Sequence, residues 1–170
     1  MRRSAVWLIG LLGLTASVAA VGARSTTQAI PTWYRRRLRK PRWTPPEQVF
    51  GPVWSVLYVS MSIAAWLVVR AAESEPRQRT ATVRLALGAW LVQLGLNLAW
   101  SLVFFGRRSV AGGVGVIAAL WLAIVATVAA FARVSWVAAA LLMPYLAWTT
   151  FAAALNVRIW QLASQDPGSD

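Results

Sequence analysis

Five uninterrupted apolar runs, each near or beyond the ~18 residues that mark a bilayer span, constrain this chain more than any other feature. They lie near Ala5–Gly22, Val49–Val69, Leu85–Phe105, Val110–Phe131 and Trp136–Trp160. At a rise of 1.5 Å per residue, about 21 residues reach ~30 Å, the thickness of a hydrocarbon core. Lipid offers backbone amides no hydrogen-bond partner, so a spanning segment is either a helix or a strand of a closed barrel. Barrel strands would read as short alternating segments, and these runs are continuous. The expected fold is all-α: one five-helix transmembrane domain over residues 1–163, a connecting loop at about 23–48 and a short polar tail at 164–170. The connections GRRS and ARVS are short, so the helices they join should be antiparallel. No internal repeat is evident, and an odd number of spans disfavours an inverted-repeat transporter. The first run also has a second reading. MRRSAVWLIGLLGLTASVAAVGA has the basic start, apolar centre and small residues of a signal peptide, and cleavage after Ala20 or Ala23 would leave four spans.

The chain carries 17 basic and 5 acidic residues, a formal charge of +12, with 58% hydrophobic residues. The charge sits mostly between the apolar runs, as headgroup-facing loops require, so it reads as membrane topology and not as a nucleic-acid surface. One side carries Arg24, Arg35, Arg36, Arg37, Arg39, Lys40, Arg42, Arg107, Arg108 and Arg158; the other carries Arg2, Arg3, Arg70, Arg77, Arg79, Arg84 and Arg133. If the first span is retained, that excess puts the first loop and the C-terminus in the cytoplasm. Cysteine and histidine are absent, which excludes disulfides, thiolate nucleophiles, histidine catalysis and the usual zinc sites. The acids Glu47, Glu73, Glu75, Asp166 and Asp170 fall in loops or the tail, leaving no carboxylate pair in the apolar region for acid–base work. No catalytic residue and no metal site is expected.

Polar and aromatic residues are not scattered evenly over the spans. In ALGAWLVQLGLNLAWSLVFFG, Trp90, Gln93, Asn97, Trp100 and Phe104 fall within an arc of roughly 80°. An amide facing lipid would cost a few kcal/mol, so this stripe should face protein or a cavity. Two roles remain open for it: interhelical polar contacts, or the wall of a site. The second span aligns Trp54, Tyr58, Met61 and Ala65, and the fifth places Tyr145, Trp148, Thr149, Ala152 and Asn156 within about 100°. Pro144 should bend the fifth helix and free the Ala140 carbonyl. The Gly- and Ala-rich fourth span suits close helix packing.

Trp7, Trp33, Trp66, Trp136 and Trp160 lie near span ends or in a loop, where aromatic belts form. The cluster WYRRRLRKPRW suits contact with anionic lipid, or with the carboxylates of a ligand below it, since guanidinium matches carboxylate in a forked geometry. KPRWTPPEQVFGPVW, with four prolines and two tryptophans, is a stiff entrance to the second span.

WY…KPRWTPPEQVFGPVWSVLY, LNLAWSLVFFG and PYLAWTTFAAALN, in that order, resemble the TspO/MBR family, the tryptophan-rich sensory proteins related to the mitochondrial translocator protein or peripheral-type benzodiazepine receptor. The match covers nearly the whole chain. The resemblance implies five transmembrane helices, often a homodimer, and a pocket near one membrane face covered by the loop between the first two helices. Family ligands include porphyrins such as protoporphyrin IX, cholesterol in animal members and synthetic isoquinoline carboxamides. Carried over, Trp43, Pro45, Pro46, Gly51 and Pro52 would form the lid. Trp54, Tyr58, Gln93, Asn97, Trp100, Phe104, Tyr145, Trp148 and Ala152 would bind ligand, with Trp54, Asn97, Trp100, Trp148 and Ala152 foremost. The sequence departs from the family at Gln48, where many members carry an aromatic. It departs again at Val157, where the cholesterol motif needs a tyrosine, so sterol binding is not expected.

The leading expectation is thus a membrane receptor, sensor or carrier for a flat hydrophobic tetrapyrrole. Its partners would be lipid and that ligand, with a homodimer open and no nucleic acid; no cofactor is required, and a porphyrin could be bound as the ligand. The alternatives are a light-dependent porphyrin-degrading enzyme using pocket tryptophans, and a structural or signalling membrane protein whose tryptophan stripes only pack.

Overall fold

The computed structural model describes residues 2–74 and 80–165. Glu75, Arg77, Arg79, Asp166 and Asp170, and with them most of the expected tail, lie outside these. The described residues form helices and no strand: α1 (Arg2–Ala29), α2 (Phe50–Ser74), α3 (Thr80–Ser101), α4 (Val110–Ala132), α5 (Trp136–Leu141) and α6 (Met143–Ser164). With their flanking turns they make five stretches long and apolar enough to cross a membrane, α5 and α6 together forming the fifth. The chain is an integral, multi-pass membrane protein. Its outer surface fits that solvent: Val6, Ile9, Leu85, Leu122 and Trp136 are largely exposed, and hydrocarbon tails solvate such groups as well as a protein core does.

The short connections are closed by serines. Ser109 accepts the Gly112 N–H at 3.1 Å to start α4, and Ser135 accepts the Ala138 N–H at 3.3 Å to start α5, each satisfying a donor that the first turn leaves free. The fifth span is interrupted at Leu142, just before Pro144. The carbonyl that a side chain takes up there is that of Leu141, which accepts the Ser60 hydroxyl of α2 at 2.6 Å.

The first span differs from expectation in length. It continues past Gly22 to Tyr34, which shortens the loop expected at 23–48. RSTTQ reads as a polar loop, but Thr26 and Thr27 donate their hydroxyls to the carbonyls of Gly22 and Ala23 at 3.0 and 2.9 Å. Such back-bonding satisfies a hydroxyl inside a helix. Pro31 brings no N–H, and the helix widens around it into a π-turn over Ile30–Tyr34, closed by the Arg35 N–H on the Ile30 carbonyl. A second π-turn, Leu102–Gly106, ends α3 and is closed by the Arg107 N–H on the Leu102 carbonyl at 2.8 Å. The two widened turns pack on each other: Trp33 meets Phe104 edge-on at 5.5 Å, and Tyr34 meets Phe105 at 5.8 Å. Trp33 is therefore buried and is not part of an interfacial belt.

α1 packs on α2 and α3, α3 on α4, and α4 on α6. Small residues permit close approach. Ala64 and Ala65 of α2 are wholly buried beside Met61, Trp90 and Tyr145, and Thr15 of α1 shares a 2.7 Å hydrogen bond with Ser62 of α2.

Candidate functional site

A cavity of about 390 Å³ opens between α1, the start of α2 and the end of α3. One wall is aromatic: Trp54 and Tyr58 of α2, with Trp100 and Phe105 from the end of α3. The opposite wall is α1, which contributes Ala19, Gly22, Ala23 and Thr26, and Ile30 closes it beyond. These α1 positions recur at helical spacing, and their small side chains bring α3 close: a Cβ at Gly22 would lie 3.2 Å from Ser101 Oγ. Sequence reasoning passed over this wall. Its signal was the run of small residues at spacings of three, one and three, which also fitted a signal peptide.

The aromatic wall is held from behind. Trp54 and Tyr58 lie 5.5 Å apart, and Trp54 meets Tyr145 edge-on at 6.2 Å. The Tyr58 hydroxyl donates to Asn97 Oδ1 at 2.7 Å, and Asn97 Nδ2 donates to the Tyr145 hydroxyl at 3.1 Å. Asn97 thereby ties α2, α3 and α6 together. Trp100 stacks on Phe104 at 5.5 Å with 14° between planes, and its indole N–H donates to Asn156 Oδ1 at 3.1 Å. Asn156 in turn donates to the Val110 carbonyl at 3.3 Å. The indole ring on the cavity is thus oriented by an amide on α6.

The expected site residues therefore divide. The whole α3 stripe turns away from lipid: Trp90, Gln93, Asn97 and Phe104 are buried and Trp100 partly so. Of the expected ligand-binding set, Trp54, Tyr58 and Trp100 line the cavity. Asn97, Phe104 and Tyr145 stand behind that wall and support it. Gln93 lies deeper, its amide N–H 3.8 Å from the Met61 sulfur and its carbonyl without a hydrogen-bond partner. Ala152 is half-buried on α6 and does not line the cavity. Trp148 sits on the far side of α2, beside Phe50 at 5.9 Å and Phe151 at 5.6 Å. There it lines an open apolar groove of about 640 Å³ with Pro52, Val56 and Pro144. The single chamber walled by three tryptophan-bearing helices is therefore two separate concavities, because Trp148 lies at the edge of its helical arc and reaches the other flank of α2.

The expected lid also divides. Trp43, Pro45 and Pro46 lie in the loop after the first span, whereas Gly51 and Pro52 belong to the first turn of α2. Proline is tolerated there because its missing N–H would have had no helical partner. Trp43 leans edge-on against Phe151 at 5.7 Å, away from the cavity. The group at the cavity mouth is Glu47, which pairs with Arg35 through both guanidinium nitrogens that face it, joining the ends of the first two spans. Lys40 donates to the Tyr34 carbonyl at 2.9 Å and lies 4.3 Å over the Tyr34 ring. Partial burial pulls its ammonium below the ordinary lysine value, Glu47 opposes that shift, and Arg35 adds to it.

Against known proteins, the profile of the TspO/MBR family matches residues 11–161. The chain is similar to the "Tryptophan-rich protein TspO" of Chlorobaculum tepidum, with 39% identity over 162 residues, covering 95% of this chain and 99% of that one. It is similar to the "Tryptophan-rich sensory protein" of Cereibacter sphaeroides, at 38% over 148 residues, 85% of this chain and 87% of the relative. It also matches the "Translocator protein" of Homo sapiens, at 38% over 141 residues, 83% and 80% of the two chains.

Proposed function

Because this chain belongs to the TspO/MBR family of membrane proteins, we propose that its aromatic cavity receives a flat, apolar ligand of the tetrapyrrole class and that the protein acts as its receptor or carrier. The observation that carries this reading is the lining: aromatic rings of α2 and α3 and small residues of α1 border one cavity. A planar macrocycle needs rings to stack on and little side-chain bulk beside them. The volume lies in the range of small-molecule sites, ~300–1,000 Å³. Each favourable aromatic contact adds about 0.5–1.5 kcal/mol beyond area burial.

Charge is confined to the mouth. A ligand bearing carboxylates would compete with Glu47 for Arg35, since guanidinium accepts either carboxylate in the same forked geometry. The names carried by the relatives, a sensory protein and a translocator protein, fit a protein that binds a ligand without transforming it.

The test is titration of the purified full chain with protoporphyrin IX, followed by tryptophan fluorescence quenching. The expected result is saturable quenching in the micromolar range, weakened by Trp54→Phe and by Trp100→Phe and left intact by Trp148→Phe. Equal titration curves for the parent, Trp54→Phe and Trp100→Phe would remove the cavity from consideration.

A further inference from the structure

On the other side of the joined π-turns from the cavity lies a smaller recess of about 200 Å³, lined by Thr32, Trp33, Arg36, Arg37 and Arg108. Three guanidinium-bearing side chains from two distant parts of the chain converge on it. Among the described residues none of the three has a carboxylate partner, whereas Arg35 next door is neutralised by Glu47. Like charges brought together repel, and nothing in the local packing requires the convergence, because all three side chains are exposed.

The backbone explains how Arg108 reaches the recess. Arg108 has φ 54°, in the left-handed region that non-glycine residues rarely occupy. It is fixed there by the bonds on either side of it, from the Arg107 N–H to the Leu102 carbonyl at 2.8 Å and from the Ser109 N–H to the Val103 carbonyl at 3.2 Å. A tight turn would ordinarily use glycine at such a position. Here the turn carries an arginine in the strained conformation, and that conformation belongs to the turn bordering the arginines at the end of the first span. That left-handed residue follows the C-cap of the second π-turn, a common way for a helix to end, and it places the Arg108 side chain in the same recess as Arg36 and Arg37.

We propose that this recess binds a phosphate group at the membrane–water boundary. Three guanidinium groups present more forked donors than one carboxylate can use, and they match the oxygens of a phosphate. The recess is too small for a tetrapyrrole ring and ample for a phosphate head. Its place at the ends of spanning helices, where basic residues meet anionic headgroups, favours a lipid phosphate over a soluble one. Both share the same recognition chemistry.

The full chain in a non-ionic detergent is titrated separately with phosphatidylglycerol and with inorganic phosphate, and retained molecules are counted by native mass spectrometry. One phosphate-bearing molecule should be held per chain. Its apparent affinity should fall about tenfold in Arg108→Gln and in the pair Arg36→Gln with Arg37→Gln, the scale of one lost charge-assisted hydrogen bond. Arg158→Gln removes the same charge from an exposed site on α6 and should change affinity by less than about twofold. Arg108→Lys keeps the charge without the fork and should fall between. Retention of the lipid alone identifies a headgroup site, and retention of inorganic phosphate alone identifies a soluble anion site. Retention of neither, or equal loss in Arg158→Gln, overturns the proposal. Should Arg108→Gln fail to fold, the Arg36 and Arg37 pair decides the outcome. Protoporphyrin titration of the same variants should be unchanged, which separates this site from the aromatic cavity.

Discussion

Gly113 on α4 offers the sharpest test of how the aromatic wall is held. A Cβ built there would lie 2.6 Å from Phe104 Cδ2, 3.2 Å from Asn156 Oδ1 and 3.3 Å from Phe104 Cβ. The phenyl ring cannot swing away cheaply, because Trp33, Trp100 and Phe105 all pack against it within 5.5 Å between centroids. Gly113→Ala therefore overpacks a filled site, at a cost of about 1–3 kcal/mol. Movement of Phe104 would also disturb the ring stacked on it, Trp100, and movement of Asn156 would loosen the bond that orients that indole. Gly115 is the internal control, two residues along the same helix, where an added Cβ meets nothing within 4 Å. There Ala should be neutral or stabilising by up to about 1 kcal/mol through helix propensity. In a thermal unfolding assay, at roughly 2–4 °C per kcal/mol for a chain of this size, Gly113→Ala should lower the midpoint by roughly 2–12 °C. Gly115→Ala should hold or raise it. Equal midpoints for the two variants would show that Phe104 is not confined as described, and the account of a wall braced from behind would fail with it.

Ala23→Phe places a ring in the cavity from the α1 side and should reduce protoporphyrin affinity by at least about tenfold, read by fluorescence quenching, while thermal stability stays near the parent's. Tyr58→Phe removes the donor to Asn97 Oδ1 and leaves that buried acceptor without its bond, which should cost about 1–3 kcal/mol in the same unfolding assay. Asn97 would have no other polar neighbour on α2 among the hydrogen bonds described. Glu47→Gln releases Arg35 and should tighten binding of a dicarboxylate porphyrin relative to its dimethyl ester, measured as the ratio of the two dissociation constants. An unchanged ratio would separate the mouth pair from ligand recognition.

The sequence was most informative where a physical cost was large. An amide facing hydrocarbon is expensive enough that the spacing of Gln93 and Asn97 located the inward face of α3, and Trp90 and Phe104 followed. The same argument could not say which residues on that face border empty space. Asn97 and Trp100 are one turn apart, yet Asn97 is consumed by bonds to two tyrosines and Trp100 looks into the cavity. That difference depends on what the neighbouring helices present. The α1 extension was hidden for a local reason: hydroxyls that bond back to the helix read as loop-forming in sequence. The π-turns are less legible still, since one follows from accommodating Pro31 and each gains its stability from the other's aromatic rings. Trp148 misled because an arc of about 100° is wide enough for its two edges to meet different neighbours.

These assignments change what the cavity can select. The amides on the inward faces, Asn97 and Asn156, are already committed between helices, and Gln93 does not line the cavity. What remains along the walls is aromatic and small aliphatic surface with the hydroxyls of Thr26, Thr27, Ser55 and Ser101. The first three donate to carbonyls of their own helices, and the Tyr58 hydroxyl donates inward to Asn97. Discrimination along the walls must then come from shape and stacking, which distinguish a flat ring from a bulky one but hardly one flat ring from another. Discrimination by charge is left to the mouth, where Arg35 and Glu47 pair and Lys40 stands near them. On the proposed function, the ligand would accordingly be amphipathic along one axis, with its apolar plane inward and its anionic edge toward Arg35 at the mouth. An isosteric macrocycle with its charges distributed around the whole rim would leave some of them unpaired in the interior, at a cost that stacking cannot offset.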